Sequence, residues 1–261
     1  MHRKPRGHLA GPCARRGAPL LIAVALLAAC SSSPSPSTST ATTPATQAST
    51  DASQVVHKSA FDQLDRGWSL VATATGPQIA IHRSANGPVS KKIRKGAGPL
   101  AFLVTAQKGD WLKVHLPTRP NGATGWISVE EVTLSTTPYR LVVSMDEHRL
   151  DLIEKGVRVG HYPIGVGKST TPTPPGEYYL TELIRPPNPE GGYGPYAFGL
   201  SAHSDTLTSY AGGPGQLGLH GTDQPGLIGR NVSHGCIRIA NDVITQLAKT
   251  VPLGSPIVIQ A

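Results

Sequence analysis

Several absences narrow the field before any motif is read. The 261-residue chain has three cysteines, Cys13, Cys30 and Cys236, so at least one is left without an intramolecular disulfide partner. Its apolar run over residues 19–29 is shorter than the stretch of about 20 residues that a permanent membrane-spanning helix needs. No group of His, Cys, Asp or Glu has metal-ligand spacing, so no zinc site is expected, and no organic cofactor either. The run Gly212-Gly213-Pro214-Gly215 lacks the Lys-Ser/Thr and following helix of a phosphate loop. Acidic residues are few, 16 against 24 basic, for a net charge of +8. Five of the basic residues (Arg3, Lys4, Arg6, Arg15, Arg16) lie in the first 29 positions, which hold no acid; without them the balance is 19 to 16, or +3. Nucleic acid is therefore not an expected partner.

Glycine (29) and proline (24) together exceed a fifth of the chain, which favours turns and short strands over long helices. At the N-terminus a basic stretch precedes the apolar run, and small residues end it. That order describes a secretory signal peptide over residues 1–29. Leu27-Ala28-Ala29-Cys30 resembles the bacterial lipobox, whose cysteine is lipidated and becomes the mature N-terminus. The expectation is an exported lipoprotein, anchored to a membrane through Cys30 and facing the cell wall or periplasm. Residues 30–54, almost all Ser, Thr, Pro and Ala after Cys30, cannot bury enough apolar surface to fold and read as a flexible tether. With Cys13 discarded and Cys30 lipidated, Cys236 is the only free thiol of the mature chain. In an oxidising compartment such a leftover cysteine is an intermolecular linker or a reactive thiol.

Two turn-rich domains follow. Over residues 64–135, short apolar runs at 79–82, 100–104, 111–116 and 124–128 alternate with Gly, Pro and Asn turns, the pattern of a small β-barrel. Gly109-Asp110-Trp111-Leu112-Lys113-Val114 and Thr124-Gly125-Trp126-Ile127 resemble the bacterial SH3-like domains found beside wall enzymes. Such modules bind peptide or glycan; Trp111 and Trp126 form either a binding platform or part of the core. Pro138 opens a second domain, 138–261, with strands at 140–144, 148–153, 157–159, 162–167 and 255–259. One helix is predicted there, capped by Asn241 or Asp242, with Val243, Ile244, Leu247 and Val251 on one face and its end at Pro252 and Gly254. The fold class is mainly β: a small SH3-like barrel, then a β-rich catalytic domain with one or two helices.

Chemistry concentrates near the C-terminus. His220-Gly221-Thr222 lies 14 positions before His234-Gly235-Cys236. A thiol is a nucleophile only as the thiolate, and either histidine could take its proton, giving a Cys–His pair suited to acyl transfer. A Gly-Cys step can also aim the backbone N–H groups of Gly235 and Cys236 at a developing oxyanion.

His220 and Ser233-His234-Gly235-Cys236-Ile237-Arg238 resemble the signature of the L,D-transpeptidase catalytic domain, and the likeness extends through Val166-Gly167 and residues 194–200. The resemblance implies a cysteine acyltransferase acting on peptidoglycan stem peptides. Cys236 would attack the carbonyl of the third residue of a stem tetrapeptide and expel D-alanine, and an amine acceptor would resolve the thioester into a 3→3 cross-link. It makes His220 the general base rather than the adjacent His234. His234, Gly235 and Cys236 form the oxyanion site, and Gly221 is the residue whose carbonyl orients the base. Ser233, Tyr196 and Arg238 are candidate substrate contacts; the Arg238 guanidinium could hold a carboxylate or brace the loop. Carbapenem-type β-lactams are the implied inhibitors. With water as acceptor the same site would be an L,D-carboxypeptidase or hydrolase, and a non-catalytic wall-binding lipoprotein is the reading from another class.

Overall fold

The computed structural model describes residues 67–96, 98–209 and 213–261; the expected signal peptide, Cys30 and the expected tether over residues 30–54 lie outside the described residues. In the first domain, β1 (Ser69–Ala74), β2 (Gln78–His82), β3 (Val89–Arg94), β4 (Ala101–Lys108), β5 (Trp111–His115), β6 (Thr124–Ser128) and β7 (Val132–Thr137) pair in the order β3-β2-β6-β5-β4-β1-β7. Every pairing is antiparallel. Alternation does the work: in β5, Leu112 and Val114 point in and Trp111, Lys113 and His115 point out. The inward residues join Leu70, Ile79, Ile81, Phe102 and Ile127 in a core of their own.

β3, Val-Ser-Lys-Lys-Ile-Arg, has no apolar alternation and is nearly all exposed, so periodicity could not find it. It survives as an edge strand on β2, where lysines blunt an open edge against further pairing. The two tryptophans are outside the core. Register sets Trp111 opposite Ser128 and Lys113 opposite Trp126, on the face away from Leu112, Val114 and Ile127. Trp111 stands edge-on to His82, with 4.6 Å between ring centroids, and its Nε1 donates to Asn86 Oδ1 at 2.6 Å.

The second domain contains β8 (Tyr139–Ser144), β9 (Arg149–Glu154), β10 (Val157–Pro163), β11 (Val166–Gly167), β12 (Gly176–Ile184), β13 (Ala197–His203), β14 (Gln216–His220), β15 (Asn231–Ser233), β16 (Ile237–Arg238), helix α1 (Asn241–Thr250) and β17 (Pro256–Gln260). Eight strands form one sheet in the order β10-β9-β8-β17-β12-β13-β14-β16, and β11 pairs separately with β15. The C-terminal β17 lies inside the sheet, parallel to β8 and antiparallel to β12. Helix α1 buries Ile244 and Leu247 among the apolar residues of this second core. Its predicted cap is corrected: Ala240 holds the N-cap position without a side-chain bond, because Asn241 is used elsewhere, as described below.

The described parts of the two domains belong to one compact unit. Val71 and Leu103 are buried yet lie outside the first core. A side chain on Gly254 would collide with Val71, so glycine is what lets the second domain close on β1. Thr137 Oγ1 and Ser255 Oγ, 2.9 Å apart and buried, form a hydrogen bond across the same junction.

Candidate active site

β14 and β16 are parallel neighbours, with Leu219 opposite Ile237 and His220 opposite Arg238. Cys236 precedes β16 by one residue and so comes level with Gly218, whose backbone hydrogen-bonds the thiol. Adjacent strands thus bring together residues 18 positions apart. A cavity of about 160 Å³ is lined by Cys236, His220, Ser233, His234, Arg238, Gly192, Tyr193 and the segments around Ser204–Leu207 and Gly215–Leu217.

His220 is buried, 4% exposed, while His234 is exposed. The Nδ1 of His220 lies 2.6 Å from the carbonyl oxygen of Gly221. A carbonyl can only accept, so Nδ1 carries the hydrogen and Nε2 keeps its lone pair. Burial pulls the imidazole down to about 4, opposed by the hydrogen bond with Gly221 and reinforced by the charge of Arg238. Burial pushes the Cys236 thiol up, while the Gly218 backbone and Arg238 pull it the other way. The resting pair is therefore a neutral thiol beside a neutral imidazole: desolvation disfavours both charges.

Three polar residues hold the loop that carries Cys236. Ser233 Oγ donates to the carbonyl of Cys236 at 2.6 Å and accepts from the N–H of Gly235 at 3.0 Å. Thr173 Oγ1 donates to the carbonyl of Gly235 at 2.8 Å and accepts from the N–H of Gly167 at 2.9 Å. Thr171 Oγ1 reaches the carbonyl of Ser233 at 3.2 Å. On the base side, Asn241 Oδ1 accepts from the N–H of Thr222 at 2.8 Å, and a side chain on Gly221 or Gly194 would strike that oxygen.

This geometry corrects three sequence expectations. The N–H of Gly235 is spent on Ser233, so it is not an oxyanion donor. Glycine is required there for shape: φ is +115°, and an added Cβ would lie 2.8 Å from Leu217 Cδ2. Tyr196 does not line the cavity; it packs on the core beneath the Arg185 guanidinium, 5.2 Å from its ring centroid. Tyr193 takes the place expected for it, with its ring 4.8 Å from that of His220. Ser233 touches the cavity, but both of its hydrogen bonds go to the loop. Arg238 divides its duties: its backbone exchanges two 2.8 Å hydrogen bonds with Gly165, and its side chain reaches the cavity with a buried Nε that has no partner. Thr171, Thr173 and Tyr193 were missed because Thr-Pro-Thr-Pro-Pro and Gly-Gly-Tyr-Gly read only as turns.

A family model described as the L,D-transpeptidase catalytic domain, YkuD, matches residues 138–259. The YkuD protein of Bacillus licheniformis is 41% identical over 120 residues, covering 46% of this chain and 64% of that protein. The YqjB protein of Bacillus subtilis is 30% identical over 139 residues, covering 49% of this chain and 74% of that protein. The chain thus spans just under two thirds of the first of these relatives. Among solved structures, an L,D-transpeptidase from Mycobacterium smegmatis is 19% identical with a TM-score of 0.39, covering 60% of this chain and 80% of that one.

Proposed function

The chain belongs to the L,D-transpeptidase family, and from that premise we propose that it is a peptidoglycan L,D-transpeptidase working by cysteine acyl transfer. The observation that carries this reading is the His220 tautomer, pinned by the Gly221 carbonyl so that Nε2 is left unprotonated, on a residue that lines the same cavity as Cys236. As sulfur attacks the carbonyl of the third stem residue, His220 takes the thiol proton. The oxyanion forms against the N–H groups of Cys236 and His234. Collapse breaks the amide bond, His220 returns the proton to the leaving D-alanine amine, and a thioester remains. An acceptor amine then attacks the thioester, gives its proton to His220, and leaves as the 3→3 cross-linked amide while the thiol is restored. The unpartnered Arg238 Nε supports a role for its guanidinium in holding the terminal carboxylate of the donor stem.

Incubation with stem tetrapeptide followed by mass analysis tests the reading. A cross-linked dimer with released D-alanine is expected; tripeptide monomer without dimer means water is the acceptor, and the activity is then that of a carboxypeptidase. Carbapenem-type β-lactams are expected to acylate Cys236, adding their mass to the intact protein.

We propose that the chain is exported and lipid-anchored at Cys30, with residues 30–54 as tether. Incorporation of a labelled fatty acid, lost in Cys30→Ala, checks this. The first domain would act as an SH3-like wall-binding module, for which Trp111, Trp126 and His82 on one outward face supply stacking surface.

A further inference from the structure

One part of the cavity lining is held from outside the catalytic domain. The turn between β5 and β6 carries Arg119 and Asn121, and both reach the chain that runs from the end of β13 to the start of β14. Asn121 Oδ1 accepts from the N–H of His203 at 2.9 Å while its Nδ2 donates to the carbonyl of the same residue at 2.8 Å. The amide thus completes His203 as a neighbouring strand would, on the side where β12 has stopped pairing with β13. Its Nδ2 also lies 3.1 Å from Asp205 Oδ1. Arg119 Nη2 donates to the carbonyls of Leu207 and Pro214, each at 3.2 Å, so one guanidinium ties the outgoing and returning limbs together. Gly215, at φ +72°, lets those limbs approach: a side chain there would strike the carbonyl of Leu207. The residues so held flank or include Ser204, Leu207 and Gly215, which line the cavity.

We infer that Arg119 and Asn121 are positioning residues for the active site: the N-terminal domain shapes the part of the cavity that receives the stem peptide. They touch none of the reacting groups, since the bonds holding Cys236 and His220 all arise within the catalytic domain. Their effect therefore falls on substrate binding and leaves the thiol chemistry intact. The inference rests on the transpeptidase reading for the identity of the substrate only.

The test uses the full chain, with Asn121→Ala, Arg119→Ala and Arg119→Lys. Three quantities are read: backbone hydrogen exchange over residues 203–209 and 213–217, the rate at which iodoacetamide alkylates Cys236, and the stem-tetrapeptide concentration that half-protects Cys236 from alkylation. Both alanine variants are expected to exchange faster over those residues and to need about tenfold more tetrapeptide, with the unprotected alkylation rate within about twofold of the parent chain. Lysine at 119 can still bridge the two carbonyls and is expected to restore most of the protection. Unchanged exchange, or faster exchange with unchanged protection, overturns the proposal. So does a fall in alkylation rate equal to the loss of protection. If Asn121→Ala does not fold, the exposed Arg119 carries the test alone. If tetrapeptide fails to protect the parent chain, the substrate reading falls, and exchange over residues 203–209 and 213–217 still decides whether the two residues hold that segment.

Discussion

The cavity has two kinds of lining, and they are held by different means. The reacting side is braced at close range: Ser233 to Cys236, Thr173 to Gly235, His220 to Gly221 and Asn241 to Thr222. Every partner belongs to the catalytic domain, and most are buried. The segment from His203 to Gly215 instead takes bonds from Arg119 and Asn121 in the other domain. Bond-making requires sub-ångström placement, which short, desolvated hydrogen bonds supply. Recognition of a polymer strand tolerates a surface assembled from two domains. The Cys236–His220 side of the cavity is therefore braced locally, and the other lining is shared between two domains.

The largest expected effect lies on the reacting side. Cys236→Ala removes the nucleophile and is expected to lower dimer formation by at least about 10,000-fold with the thermal transition unmoved; residual activity near the parent level would return the chain to the non-catalytic reading. Next comes Gly235→Ala. Its φ of +115° and the approach of Leu217 put both strain and collision on the new methyl, so a loss of about 2 kcal/mol in stability is expected with a roughly hundredfold fall in kcat. Melting and turnover together check it. Gly215→Ala probes the shared side by crowding Leu207, and should raise KM by about tenfold, or about 1.4 kcal/mol, while kcat stays. A fall in kcat there would erase the distinction between the two sides.

Near neutral pH the smallest effect on turnover is that of pH itself. A histidine of ordinary basicity would cost activity below about pH 6.5, but His220 is lowered to about 4. The neutral base therefore persists in acid, and the acid limb of kcat/KM is expected near pH 4. Stability moves the same way. As pH falls from 6.5 toward 4 the unfolded chain takes up a proton that native His220 refuses, so about 3 kcal/mol of stability is lost across that window. A pH–rate profile and acid melting curves read the two effects separately.

Much of the reacting side was legible in the sequence. Ser233-His234-Gly235-Cys236 is contiguous, with His220 14 positions before His234, and a thiol that follows a histidine and a glycine has a chemical meaning wherever it folds. The strands of the first core were legible for the same reason: Leu112 and Val114 alternate with polar neighbours. β3 was not, because an edge strand of lysines buries almost nothing and so leaves no periodic trace. The role of Gly235 was misjudged, since an N–H that could face an oxyanion is indistinguishable in sequence from one already held by Ser233 Oγ. Tyr193 and Tyr196 stand three residues apart in one glycine-rich turn, and only the path of the backbone decides which ring meets His220.

By itself, the sequence determined the mainly β class and the short segment that sets Cys236 beside His234 and Gly235, because each depends on residue types and short-range patterns. Tertiary structure alone decided how those parts cooperate. It aligned Gly218 with Cys236 across β14 and β16, placed the C-terminal β17 inside the sheet, and carried Asn121 to His203, 82 positions away. Contacts of that span are made by whole domains burying their apolar faces, and no local pattern encodes which polar side chains the packing will bring together.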